Sequence, residues 1–221
     1  MIVFDNVGKA YRNRKGEINW LIRNFSGAVA PGKSLGILTP PSQGKTTFIN
    51  MAAGNEKPSE GSIVRRGEVS WPWGSGSVIS SKLSGRQNIR FLSDLYGRNF
   101  NRVHEFVREF ADLGKYLDGP LRNYNGEMKA RLGVSLLFAM DFEFILVDNS
   151  MDGGDMTFRR KCAKYLEENR SNLTFLIATE RPNLVSKYCQ TAGVLFEGEV
   201  TLYDRVDLAL AHFNKVNLVE A

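Results

Sequence analysis

Apolar and polar residues alternate through residues 2–11 and again through 17–29, the two-residue period of half-buried β-strands. Pro31-Gly32 then turns the chain into a short apolar run, Ser34 to Leu38, that reads as a strand. A further strand is expected from Ile63 to Trp73, followed by a Gly/Ser-rich loop, 74–81. The pattern then becomes helical. Ser84-Gly85-Arg86-Gln87 has the spacing of a capping box, and its helix would carry Ile89, Phe91, Leu92 and Leu95. Val103, Phe106, Val107 and Phe110 fall at i, i+3, i+4 and i+7, one face of a second helix. Asn125 can cap a third, from Glu127 to Met140. After it come an apolar strand, Phe142 to Asp148; a helix, 156–169; a strand, Leu173 to Thr179; and a helix, 183–190. Strands Ala192–Phe196 and Glu199–Tyr203 and a helix over 205–214 complete the chain. Strands alternating with helices in this way predict an α/β fold with a mainly parallel, doubly wound core, into which residues 84–118 insert as a helical lobe.

Composition narrows the class. The chain has 221 residues, 43% of them hydrophobic, enough for one large domain with a real core. Its net charge of +5 is mild, and Lys and Arg are scattered apart from short clusters such as Arg12-Asn13-Arg14-Lys15 and Arg159-Arg160-Lys161. A solvated basic surface accounts for that better than a nucleic-acid stripe, and an anionic membrane face also suits it. Cys162 and Cys189 lie in helical stretches without metal-ligand spacing, as reduced thiols of the core or surface would. No apolar run reaches the 18 residues of a membrane span, and Met1-Ile2-Val3-Phe4-Asp5 lacks the features of a signal peptide.

The chemistry centres on the stretch from Ser34 to Ile49. A strand runs into a turn, then Gly44-Lys45-Thr46-Thr47 and the first turns of a helix. Unpaired N–H groups and the macrodipole make a helix N-terminus receptive to phosphate. Lys45 adds a positive charge, and the Thr46 hydroxyl can ligate Mg²⁺. The second half of the pattern G-x-x-x-x-G-K-[ST] is present, whereas its first glycine is Thr39. The competing reading is a surface βα turn with an exposed lysine.

With Ser70-Trp71-Pro72, Leu83-Ser84-Gly85-Arg86-Gln87-Asn88, Tyr124 through Leu132 and the strand to Asp148 in place, nearly the whole chain resembles the nucleotide-binding subunit of ABC transporters. It is most similar to the branch that exports capsular and related polysaccharides. The resemblance implies a RecA-like P-loop core with an N-terminal antiparallel β-subdomain and an inserted helical lobe. It implies a single domain over 1–221, with core residues 1–82 and 141–221 and lobe residues 83–140. It also implies ATP and Mg²⁺, a second nucleotide-binding subunit, an integral-membrane permease, and a peripheral place on the cytoplasmic face of the inner membrane. No nucleic acid is expected. Residue by residue, Tyr11 matches the aromatic that stacks on adenine, or is an edge-strand residue. Gln43, Gly44, Lys45, Thr46 and Thr47 match the phosphate loop. Asp148 matches the acid that holds Mg²⁺ through water, or caps a turn. Asp155 matches the loop contacting the opposite subunit, or caps the helix from Met156, or does both.

Several positions depart from the family pattern. Asn149 stands where a glutamate polarises the attacking water, and an amide cannot accept that proton. Glu180 stands where a histidine meets the γ-phosphate; it is either repelled by phosphate, unless Arg181 pairs it, or supplies the missing base from the other side. Ser80 replaces the glutamine of the loop joining core to lobe. The signature-like segment reads Asn125-Gly126-Glu127-Met128, with Glu127 in place of a glycine. That acid adds bulk and like charge opposite a γ-phosphate, or serves the dipole of a helix first turn. Pro40 and Pro41 lack N–H donors, and Thr39 and Ser42 replace glycines where a positive φ is costly. The expectation is therefore a subunit that binds nucleotide through Lys45 and Thr46 yet hydrolyses it poorly. The alternatives are a working ATPase with substituted residues and a basic binding module outside transport.

Overall fold

The computed structural model describes residues 1–13, 15–74 and 78–220. The described chain divides into two compact units: 1–75 with 143–151 and 171–221, and 76–142 with 152–170.

The first unit holds two sheets. In one, β1 (Ile2–Arg12) pairs antiparallel with both β2 (Ile18–Val29) and β4 (Glu60–Arg65), in the order β2-β1-β4. Strict alternation fails where it must. Phe4 and Val7 are both buried, as are Ile22 and Phe25, although each pair is separated by an odd step. Asn6 (φ 47°) and Asn24 (φ 46°) take left-handed backbone between them, and the ladder shifts register between Phe4 and Val7. Asparagine tolerates this conformation better than most residues, so each bulge returns the following apolar side chain to the core.

The other sheet has the order β5-β6-β3-β7-β8. Strands β3 (Leu35–Leu38), β5 (Phe144–Asp148), β6 (Thr174–Thr179) and β7 (Thr191–Phe196) run parallel, and β8 (Glu199–Tyr203) is antiparallel at the edge. Every residue of β3, β5 and β6 is buried, which is why they read as continuous apolar runs. Helix α1 (Lys45–Ala53) lies against β5 and β6 and packs on the antiparallel sheet through Phe48, whose ring lies 5.3 Å from Phe4 and 5.5 Å from Phe25. Helix α6 (Pro182–Tyr188) approaches β3 so closely that a Cβ on Gly36 would sit 2.5 Å from Val185 Cγ1. The register Leu38↔Thr179 and Asp148↔Ala178 aligns the C-terminal ends of β3, β5 and β6, the edge where ligands bind in open α/β sheets.

The second unit contains α2 (Gly85–Leu95), α3 (Phe100–Ala111), α4 (Gly126–Ala139) and α5 (Met156–Glu168). The capping box of α2 is complete: Gln87 N–H donates to Ser84 Oγ at 3.1 Å, and Ser84 N–H donates to Gln87 Oε1 at 2.8 Å. Phe110, Phe138, Phe158 and Tyr165 tie α3, α4 and α5 together, with Phe138 and Tyr165 stacked at 4.5 Å.

Some expected elements are corrected. The strand foreseen from Ile63 to Trp73 ends at Arg65, because Gly67 turns the chain at φ 109°. Beyond it Val69 and Trp73 make only isolated bridges to β5. Part of the Gly/Ser-rich loop, 75–77, lies outside the described residues. On α2, Ile89 and Leu92 are buried, but Phe91 and Leu95 are 54% and 62% exposed. The inward face is completed instead by Asn88, whose side chain accepts from Ser80 N–H at 2.7 Å and donates to Ser80 O and Ser84 O. The last helix, α7, runs from Val206 to Glu220, beyond the expected end at residue 214. Both cysteines are free and buried, and burial pushes the Cys162 thiol up to about 12.

Candidate nucleotide and magnesium site

The aligned strand ends bring Tyr11, Gly44–Thr47, Asp148, Asn149 and Glu180 into one neighbourhood of the first unit. Leaving β3, the chain anchors itself by Thr39 N–H to Thr179 O at 3.1 Å. Thr39 is fully buried and its hydroxyl donates to Pro40 O at 3.4 Å. The backbone cost expected there does not arise, since Thr39 is not among the positive-φ residues, whereas Ser42 does take φ 63°. Gly44 (φ 104°) then starts α1, with Phe48 N–H closing the first helical bond to Gly44 O at 2.9 Å. Gln43 turns its side chain to accept from Glu197 N–H at 3.2 Å. Around this turn the helix presents its first-turn N–H groups without any acid in that turn.

Lys45 Nζ lies over its own loop, 3.4 Å from Pro40 O, and forms an ion pair with Glu180 Oε2 at 3.3 Å. One residue on, Thr46 Oγ donates to Asp148 Oδ2 at 2.9 Å. Asp148 is only 5% exposed, and its other oxygen, Oδ1, is buried without a hydrogen-bond partner. An orphaned carboxylate oxygen beside a hydroxyl is a hard-oxygen donor set that suits Mg²⁺. Among the described residues no group of three or more His, Cys, Asp or Glu side chains could hold a metal alone. A magnesium ion here would thus take its remaining donors from phosphate and water, as this ion commonly does.

Thr47 Oγ lies 3.4 Å from the Tyr11 hydroxyl, which hydrogen-bonds Glu56. Lys9 Nζ sits 4.9 Å from the Tyr11 ring centroid, and the side chain remains 42% exposed. Burial first, and the Glu56 contact second, raise the phenol's pKa, so the ring is a neutral, partly open surface.

Asn149 follows Asp148 in left-handed backbone, φ 66°. Its N–H donates to Ala178 O at 2.8 Å and its carbonyl accepts from Thr179 Oγ at 2.7 Å. Its side chain clasps Glu180 at both ends: Nδ2 donates to Oε1 at 3.5 Å and Oδ1 accepts the Glu180 N–H at 3.5 Å. Lys45 and Asn149 both pair with Glu180. Arg181 N–H donates to Thr179 Oγ at 3.0 Å.

A second cluster belongs to the second unit. Asn125 caps α4, accepting from Met128 N–H at 2.8 Å, and Glu127 lies in the exposed first turn. A Cβ on Gly126 would meet nothing within 4 Å. Asp155 caps α5 by accepting from Phe158 N–H at 3.0 Å and also pairs with Arg131. Asn125, Glu127, Met128, Arg131 and Asp155 line a cavity of about 450 Å³ within that unit. Sequence patterning missed the Arg131–Asp155 pair and the clamp of Asn88 on Ser80. Both join residues far apart in helical phase or chain position, and neither leaves a periodic signal.

No family model matches the chain. ATP-binding protein BexA of Haemophilus influenzae is 32% identical over 217 residues, covering 97% of this chain and 99% of its own. Capsule polysaccharide export ATP-binding protein CtrD of Neisseria meningitidis serogroup B is 32% identical over 218 residues, 98% of this chain and 100% of its own. Among solved structures, the dimeric post-hydrolysis state of the ATP-binding cassette MJ0796, bound to ADP and Pi, matches with a TM-score of 0.73 at 20% identity. That match covers 90% of this chain and 96% of the cassette, and it bears on the fold alone. Among the described residues no helix is long and apolar enough to cross a membrane. Similarity along almost the full length of these relatives places the chain in a family: it belongs to the ABC-type ATP-binding proteins of capsule and polysaccharide export.

Proposed function

We propose that this chain is the nucleotide-binding subunit of a polysaccharide exporter that holds Mg-nucleotide but hydrolyses it slowly or not at all. It would work at the cytoplasmic face of the inner membrane beside an integral-membrane permease. It would pair with a second nucleotide-binding subunit, a copy of itself or an active relative, as a structural, regulatory or asymmetric partner. The observation that carries this reading is Asn149. The residue after Asp148 presents an amide, and that amide is engaged with Glu180. An amide neither accepts a proton from water nor orients it by charge. Glu127 in the first turn of α4 adds a negative charge where a partner's triphosphate would be clamped.

The remaining residues support binding. The first-turn N–H groups of α1 and Lys45 would cradle phosphate, Thr46 and Asp148 would hold Mg²⁺, and the open ring of Tyr11 would stack on adenine. The ion, when bound, would neutralise charge across the phosphates.

Phosphate release from the purified chain, and from membranes containing its permease, tests this. The unaltered protein is expected near background, and Asn149→Glu is expected to restore turnover by about 10²–10⁴-fold. Turnover of about 1 s⁻¹ or more in the unaltered protein would overturn the reading.

A working ATPase is the second reading, and one distance favours it. Glu180 Oε1 comes within 3.5 Å of the Asn149 amide, so a carboxylate does reach the neighbourhood of the missing base. Under that reading Glu180→Gln abolishes turnover that the unaltered protein displays.

A further inference from the structure

Lys45 already has an anionic partner. Glu180 Oε2 stands 3.3 Å from its ammonium, and the other carboxylate oxygen is steadied by the Asn149 amide at 3.5 Å. The Lys45 side chain is only 12% exposed, so this pairing takes up most of the positive charge the loop offers. We propose that Glu180 is a specificity-determining residue: its carboxylate takes, on Lys45, the place of a third phosphate, so the site favours a nucleoside diphosphate over a triphosphate. The inference rests on the proposal that this loop binds nucleotide.

Two parts of the loop respond differently to that carboxylate. The amides at the start of α1 belong to the backbone around Gly44 and serve the inner phosphates. In loops of this kind the lysine reaches the β- and γ-phosphates, and the hydroxyl lies on the metal that bridges them. Thr46 and Asp148 mark the metal side here, so a terminal phosphate enters the space bounded by Lys45, Asp148, Asn149 and Glu180. There it meets one cation already matched by one anion. A diphosphate shares Lys45 through its β-phosphate but keeps the backbone amides and leaves the space beside Glu180 empty, so it loses less. Glu180 is 38% exposed on its side chain, so solvent screens the repulsion and the carboxylate has room to swing outward. The expected penalty on the triphosphate is therefore about tenfold in Kd, or about 1.4 kcal/mol, rather than exclusion.

Calorimetric titration of the full chain with Mg²⁺ and either ADP or a non-hydrolysable ATP analogue tests this. The unaltered protein is expected to bind the diphosphate at least as tightly as the triphosphate. Glu180→Gln, which keeps the shape and removes the charge, should tighten the triphosphate about tenfold while leaving the diphosphate within about twofold. Glu180→His should act in the same direction and serves if the glutamine variant does not fold. Equal changes for both ligands, no change for either, or a tenfold triphosphate preference in the unaltered chain would each overturn the inference. If the diphosphate binds normally and only the ratio fails to move, the assignment to Glu180 alone falls. If neither nucleotide binds to any variant, nucleotide binding by this loop falls with it.

Discussion

Replacing Asp148 by asparagine should strengthen the empty protein and weaken the loaded one. Asp148 is 5% exposed, with Oδ2 accepting from Thr46 at 2.9 Å and Oδ1 buried without a partner. A buried polar group without a hydrogen bond costs about 1–3 kcal/mol, and a charged one costs more. Asparagine keeps a carbonyl oxygen for Thr46 and exchanges the stranded charge for a neutral amide. The difference between a charged and a neutral orphan is about 1 kcal/mol or more in favour of the variant. For a chain of this size that raises Tm by about 2–4 °C. With Mg²⁺ and nucleotide at about 100 times Kd the order reverses. The unaltered protein gains about 2.7 kcal/mol, or about 5–11 °C, whereas the variant, without the carboxylate proposed to hold the ion, gains little. Thermal unfolding with and without Mg-ADP measures both halves. An empty variant that melts lower than the unaltered chain, or a Mg-nucleotide shift that survives the substitution, would refute the reasoning.

Other perturbations follow from packing, capping and charge. Phe48→Ala removes the fully buried ring that packs α1 on Phe4 and Phe25 of the antiparallel sheet, and should cost about 3–5 kcal/mol in urea unfolding; a loss below about 1 kcal/mol would contradict the packing. Ser84→Ala removes the Oγ acceptor of the α2 capping box and should cost about 1 kcal/mol by the same measurement, with Ser84→Gly milder. Asp155 is held down to about 2, from an ordinary 3.8, by the Arg131 hydrogen bond first and the Phe158 N–H second. A folded-state value below the unfolded one gives stability that is complete above pH 3.8 and lost as pH falls through about 2. The denaturation midpoint of Asp155→Asn should therefore change less than that of the unaltered chain between those limits, and parallel curves would contradict the pairing.

The sequence by itself determined the order of elements, the apolar strands β3, β5 and β6, the capping box at Ser84 and the strand-turn-helix around Lys45. These are short-range properties: periodicity, capping and turn chemistry depend on residues a few positions apart. It also placed Asp148 at the end of one strand, with Asn149 just after it and Glu180 just after another. Only the tertiary structure decided which partner each of them took. Lys45 and Glu180 are 135 residues apart in the chain and meet because β6 lies beside β3. Asp148 comes to face Thr46 across a sheet edge, leaving one oxygen stranded. Hydrophobic patterning misplaced Phe91 and Leu95 for the same reason. The inward face of α2 is completed by Asn88, a polar residue whose burial is made possible by hydrogen bonds to Ser80 and Ser84 that exist only once the chain is folded. A side chain's type is written locally, whereas its protonation, pairing and exposure are set by neighbours that the fold brings from elsewhere.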